Sequence, residues 1–334
     1  MTAPLALEHL SVRFPVGTPG HPRTVSAVDE VSFTVAAGEI FGLVGESGCG
    51  KSTLANAIMG LLPTSTLLTG SARVHDAEVI GLSDSALRQM RGNTAAMVFQ
   101  DASTSLDPTW SVGDQIAETI RAHQPVSKRE AKELALALMA EVGLTNPGER
   151  YGDAPHRLSG GMRQRIVIAA ALANNPRLLI ADEPTTALDV TLQAQILKLI
   201  DQLRVAHNTA VLLITHDLGV IAQVCDRVGV MYAGQLVEIA TVAELFANPR
   251  HPYTRALLAA RPGAQPGTQA GTQPGAERLA LIPGQVPDLS EEIAGCRFAS
   301  RCPRRIDACA VTPTRVTLGQ SEVACWNPPA DGTE

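Results

Sequence analysis

The chain has 334 residues, room for one large or two ordinary domains around a sizeable core. Its 27 basic and 33 acidic residues leave a net charge of −6, which gives no support to the basic footprint of a nucleic-acid binder. No apolar run reaches the roughly 18 to 20 residues that span a bilayer, and Met1 to Leu5 lacks the charged and apolar regions of a secretory signal, so a cytosolic chain that does not cross a membrane is expected.

Leu5 to Phe14 alternates loosely and predicts a strand, followed by a Pro/Gly-rich loop over Pro15 to Pro22. Phe14 is an aromatic in a chain only 3% aromatic, and its ring either stacks on an adenine or packs in the core or a sheet edge. A second strand, Ala27 to Val35, and the turn Ala37-Gly38 lead into the apolar run Glu39 to Val44. Then comes Gly45-Glu46-Ser47-Gly48-Cys49-Gly50-Lys51-Ser52-Thr53, a G-x-x-x-x-G-K-[ST] pattern set between that strand and the apolar helix Leu54 to Met59. The glycines let the backbone curl so that successive N–H groups face phosphate oxygens, and the helix N-terminus adds partial positive charge. Lys51 would reach the β- and γ-phosphates and Ser52 would offer its hydroxyl to Mg²⁺.

Downstream, Thr94 to Phe99 reads as a buried strand with Gln100 just past its end. Ligand groups in open α/β sheets gather at carboxyl ends of strands, so Gln100 is placed to meet Mg²⁺ or an attacking water. Residues 101–157 change character: Val112 to His123 and Arg129 to Val142 carry helical spacing, as in Leu134, Leu138 and Val142, and predict a helical insertion. Leu158-Ser159-Gly160-Gly161-Met162-Arg163-Gln164-Arg165 opens the helix Ile166 to Ala173, and Ser159, Gly160 and Gly161 there read either as a second anion-binding helix end or as an N-cap. The apolar strand Leu178 to Ala181 ends in Asp182 and Glu183, an arrangement in which the Asp holds Mg²⁺ and the Glu polarises water. Asp189 precedes the amphipathic helix Leu192 to Val205, and the strand Ala210 to Ile214 runs into His216, placed to donate a hydrogen bond to a γ-phosphate oxygen. Strand-like Val228 to Tyr232, a turn at Ala233-Gly234 and Gln235 to Glu238 complete the core.

Residues 262–276 are low in complexity and too polar to order themselves by burial. Beyond them Cys296, Cys302, Cys309 and Cys325 are separated by five, six and fifteen residues. Four thiols in a reducing cytosol suit an iron–sulfur cluster, zinc or no metal at all, and the missing C-x₂₋₄-C knuckle disfavours zinc. Cys49 and Cys225 read as structural.

Together these motifs resemble the ATP-binding subunit of an ABC transporter, with Walker A at 45–53, the Q-loop Gln100, the signature LSGGMRQR at 158–165, Walker B at Asp182 with Glu183, the D-loop Asp189 and the switch His216. The resemblance implies an α/β phosphate-loop NTPase cassette, a RecA-like core plus helical subdomain, that binds and hydrolyses ATP with Mg²⁺. It also implies that two cassettes sandwich two ATP molecules, Ser159 to Gly161 of one completing the site around Lys51 of the other. His251-Pro252-Tyr253-Thr254-Arg255-Ala256-Leu257-Leu258 and the Cys tail resemble the oligopeptide/dipeptide importer branch, which includes nickel transporters. That branch implies a peripheral protein on the cytoplasmic face of the membrane, a second ATPase subunit, two transmembrane permease subunits, an extracytoplasmic substrate-binding protein and, in some members, a [4Fe–4S] cluster in the tail. Two departures are Asp101-Ala102 for the frequent Asp-Pro and Phe14 for the usual adenine-stacking Tyr. The expected division is a cassette at 1–258 with its helical subdomain at about 101–157, a linker at 259–277 and a tail at 278–334. A soluble mechanical ATPase acting on DNA or the ribosome would carry a coiled coil, tandem cassettes or a basic surface, and a catalytically degenerate accessory subunit would lack Glu183 or His216.

Overall fold

The computed structural model describes residues 2–18, 21–186, 188–260, 282–291 and 293–329. Most of the expected linker, 261–277, lies outside the described residues. The chain begins with a long antiparallel hairpin of β1 (Leu5–Thr18) and β2 (His21–Val35), in which Leu5 stands opposite Val35 and Thr18 opposite His21. The described residues of the segment expected as a loop over Pro15 to Pro22 thus lie in strands, 15–18 in β1 and 21–22 in β2. The reason is positional: β4 (Leu67–Val74) pairs with β1 only as far as Arg13, leaving a two-stranded arm beyond it whose prolines need not supply a second ladder. With β5 (Ala77–Glu78) these strands form a sheet in the order β2-β1-β4-β5.

The second sheet carries the motifs. Its parallel strands are β3 (Ile40–Val44), β6 (Ala95–Val98), β7 (Leu178–Asp182), β8 (Ala210–Ile214) and β9 (Arg227–Tyr232), continued by the antiparallel β10 (Gln235–Thr241), β11 (Val316–Leu318) and β12 (Ser321–Val323). The order is β11-β12-β10-β9-β3-β8-β7-β6. The central parallel strands β3, β7 and β8 read as apolar runs because both faces are covered. Along β8, Ala210, Leu212 and Ile214 enter the cluster shared with the first sheet and α1 (Lys51–Ile58), while Val211 and Leu213 enter the cluster on the opposite face.

After α1 comes α2 (Asp84–Met90), and the connection from β6 to β7 holds α3 (Ala102–Ser105), α4 (Val112–Arg121), α5 (Lys128–Glu141), α6 (Pro147–Arg150) and α7 (Gly160–Leu172). Helices α4 and α5 stand where the apolar spacing put them. Ser111 caps the first, and Ser127 with Glu130 forms a reciprocal capping box on the second. Then follow α8 (Val190–His207), α9 (Leu218–Val224), α10 (Val242–Ala247) and α11 (Pro252–Ala259). The C-terminal region adds β12 to the edge of β10, with Glu238 opposite Val323. Among the described residues no helix is long and apolar enough to cross a membrane.

Candidate functional site

Register brings the expected site residues to one edge of the large sheet. Leu43 of β3 and Asp182 of β7 both pair with Ile214 of β8, and Val98 of β6 pairs with Ala181. Gly45, Gln100, Glu183 and His216 therefore all follow the carboxyl ends of neighbouring parallel strands, where such sheets bind ligands.

The turn from β3 into α1 is possible only for glycine at two points. A Cβ on Gly45 would lie 2.1 Å from the Met231 carbonyl oxygen, and Gly50, at φ +104° as the N-cap of α1, would meet the Ala27 oxygen at 2.3 Å. Ser47 and Gly48 are exposed at the mouth of the loop, while Cys49 is buried beneath it. Lys51 is buried and donates to the Gly45 and Glu46 carbonyls at 2.8 and 3.1 Å, with the Cys49 sulfur at 3.5 Å. The first intrahelical bond runs from Leu54 N–H to Gly50, so the N–H groups of Lys51, Ser52 and Thr53 have no partner within the helix, and no acid opposes them in its first turn.

Gln100, Glu183 and His216, far apart in sequence, meet. Glu183 accepts from Gln100 Nε2 at 2.9 Å and from Thr186 Oγ1 at 2.9 Å, and His216 Nδ1 lies 3.0 Å from its other oxygen. An ionised carboxylate only accepts, which assigns the proton to Nδ1. Burial works to raise the Glu183 carboxyl, but the hydrogen bonds from His216 and Thr186 outweigh it and hold the group below its ordinary range. Glu183 also sits in the left-handed region at φ +46°, pinned by its N–H to the Ile214 carbonyl.

Its neighbour Asp182 behaves oppositely. It is buried and raised chiefly by that burial, against a hydrogen bond from Ser52. Its Oδ1 has no hydrogen-bond partner among the described residues. A buried, orphaned carboxylate oxygen beside a serine hydroxyl is a donor set that fits Mg²⁺.

Ser159 is exposed and caps α7, accepting from the Met162 N–H at 3.3 Å. A Cβ on Gly160 or Gly161 would contact Leu188 or Leu192, next to Asp189, whose carboxylate caps α8 through the Leu192 N–H at 2.9 Å. These residues thus group with one another. Phe14, opposite Val25 in the hairpin, is half-buried against the cluster that holds Leu54 and Cys49.

The iron–sulfur expectation for Cys296, Cys302, Cys309 and Cys325 is overturned. Among the described residues no group of three or more His, Cys, Asp or Glu side chains is arranged to hold a metal ion, and all six cysteines are free thiols. Burial pushes the Cys296 and Cys302 thiols up and Cys325 to about 11. Cys296 and Cys302 pack instead against the apolar cluster of Tyr232, Tyr253 and Phe298.

Sequence reading gave no role to two residues that grip the loop. The Glu46 N–H donates to Tyr253 Oη at 2.9 Å, and its carboxylate is bridged by Arg301 at 2.7 and 3.1 Å. The available signal was the acid itself, since a carboxylate inside an anion-holding loop calls for a cation from elsewhere.

A family profile described as ABC transporter matches residues 28–186, and one described as Oligopeptide/dipeptide transporter, C-terminal region, matches residues 237–309. The chain is 51% identical over 312 residues to a Sinorhizobium fredii protein named "Probable peptide ABC transporter ATP-binding protein y4tR", covering 92% of this chain and 91% of the relative. It is 46% identical over 326 residues to the dipeptide transport ATP-binding protein DppD of Bacillus subtilis, covering 96% and 94%. Among solved structures, a dimeric ATP-binding cassette in a post-hydrolysis state bound to ADP and Pi matches with a TM-score of 0.63 at 27% identity, covering 71% of this chain and 98% of that one.

Proposed function

This chain belongs to the ABC transporter family, in its oligopeptide/dipeptide branch, and on that premise we propose that it is the ATP-hydrolysing subunit of an importer that drives uptake of dipeptides or oligopeptides, working from the cytoplasmic face of the membrane. The observation that carries the reading is Glu183 held between Gln100 and His216, one residue beyond Asp182, whose buried Oδ1 has no hydrogen-bond partner among the described residues.

In this reading Lys51 exchanges its carbonyl partners for β- and γ-phosphate oxygens, and the N–H groups of Gly50 to Thr53 receive the phosphates alongside the exposed Ser47 and Gly48. Ser52, Asp182 and Gln100 would hold Mg²⁺, which supplies charge neutralisation on the phosphates when bound. Glu183, ionised at neutral pH, accepts a proton from water. His216, with Nδ1–H committed to that carboxylate, keeps the water-polarising group oriented. Phe14 is assigned to the adenine, on the arm that passes the loop through Ala27.

The exposure of Ser159 and Asp189, on either side of the half-buried Gly160 and the buried Gly161, supports a second cassette, identical or homologous, whose signature helix end closes over Lys51. Two permease subunits and an extracytoplasmic binding protein complete the proposed importer. The proposed division is a cassette at 1–258, including helices at about 101–157, a linker at 259–277 and a C-terminal extension at 278–334.

The test is reconstitution with the two permeases in sealed vesicles. Peptide accumulation should require ATP and should vanish with nucleotide binding in Lys51→Ala. Hydrolysis indifferent to permeases and peptide would count against transport.

A further inference from the structure

The phosphate loop contains an acid, and the fold answers it from the far end of the chain. Arg301 is 4% exposed and Glu46 25%, so the cation is the more deeply set partner. The guanidinium has little freedom. Its Nε donates to the Pro283 carbonyl at 2.8 Å, Nη2 to Ile282 at 3.3 Å and Nη1 to Tyr232 Oη at 3.3 Å. It also lies 5.7 Å from the Tyr232 ring centre and 6.0 Å from that of Phe298. Those rings pack edge-on at 5.2 Å, and Tyr253, which holds the Glu46 N–H, stacks obliquely on Tyr232 at 4.6 Å. The extension therefore presents a preset fork to one loop residue, fixing both its backbone and its charge. Without that fork a free carboxylate would stand in the loop that must receive the phosphates, where like charges repel strongly at short range.

We propose that Arg301 is a positioning residue for nucleotide binding, its paired hydrogen bonds neutralising Glu46 and holding the first turn of the phosphate loop, so that the C-terminal extension sets the affinity for ATP. The inference rests on reading residues 45–53 as the ATP site. It concerns affinity, since Arg301 contacts neither Glu183 nor His216 in any described bond.

The experiment uses the full-length chain with its permeases and measures ATP binding and hydrolysis together. Arg301→Met should raise the Kd and KM for ATP about tenfold while kcat at saturating ATP stays within about twofold. Arg301→Lys, which keeps the charge but loses the fork, should raise KM about threefold. The double variant Arg301→Met with Glu46→Gln should return to within about threefold of wild type, because the defect is the freed carboxylate. A purely structural contact predicts no such rescue. Unchanged KM in Arg301→Met, a fall in kcat with KM constant, or failure of Glu46→Gln to rescue would each overturn the proposal. Should Arg301→Met not fold, unchanged KM in Arg301→Lys overturns it. Lys51→Ala in the same titrations separates the two readings: undiminished binding there sinks the site assignment itself, whereas loss there with normal Arg301→Met sinks only the role of Arg301.

Discussion

The strand-end site and the C-terminal extension press on the same phosphate loop but are built by opposite means. At the strand ends, backbone register does the placing: Leu43, Ala181, Asp182 and Ile214 are locked in adjacent parallel ladders, and the candidate site residues Gly45, Glu183 and His216 follow by one or two positions. In the extension, regular structure is confined to the short β11 and β12 and a single 3₁₀ turn at Asp307–Ala310 among the described residues. Attachment there falls to individual side chains: Arg297 reaches Asp29 at 2.8 Å and the Ala233 carbonyl, Arg301 reaches Glu46, and Phe298 is 1% exposed among Tyr232, Tyr253 and His251. The contrast teaches that chemistry and docking should fail separately. A change at the strand ends should cost turnover without stability, and a change in the extension should cost stability without turnover.

The largest effect tests the first half. Glu183→Gln keeps the size and hydrogen-bonding reach of the side chain but cannot take a proton, so kcat should fall about 10²- to 10⁴-fold, the usual worth of a general base. ATP retention and the unfolding midpoint should stay near wild type. Turnover within a few-fold of wild type would remove Glu183 from the chemistry, and a large loss of stability would break the contrast.

Phe298→Ala tests the second half. Emptying a fully buried aromatic site typically costs about 3–5 kcal/mol, and three neighbouring rings lose their packing partner. Calorimetry should show the loss, while kcat at saturating ATP, measured below the new midpoint, should change little. A parallel collapse of kcat would mean that the extension and the strand ends form one cooperative unit.

The same contrast explains what could be read from the chain. The strand-end positions of Gln100, Asp182, Glu183 and His216 were legible because each ends an apolar run, and an apolar run of that length fixes both the strand and its terminus. The Pro15 to Pro22 segment misled because proline argues against a ladder, yet here it lies beyond the end of β4, where one side of the strand is unpaired. The cysteines misled through their number, their spacing and the resemblance of the tail: four thiols near one another suggest a ligand set, but Cys296 and Cys302 pack half-buried against aromatic side chains as small apolar groups. The Arg301–Glu46 pair was illegible because no periodicity links residues 255 positions apart.

The smallest expected effect is set by a proton at the root of the extension. His251 caps α11, its Nδ1 accepting the Tyr253 N–H at 3.0 Å, and complete burial pushes its imidazole down from 6.5 to about 3. The folded chain therefore keeps this ring neutral, whereas the unfolded chain protonates it below 6.5. Stability from His251 is fully present above that value and is lost as pH falls toward 3, amounting to about 1 kcal/mol at about pH 5.5. Glu238 faces the same N-cap, accepting from the Arg250 and His251 N–H groups at 2.7 and 2.8 Å, and burial raises its carboxyl, so it acts with the opposite sign. His251→Asn retains Glu238 and an N-cap acceptor but removes the titrating ring. Unfolding midpoints between about pH 7.5 and 5.5 should fall more steeply for wild type than for this variant. Parallel curves would show that the imidazole is not held neutral, and the aromatic seat of the extension would then have to admit water or a counter-charge at His251.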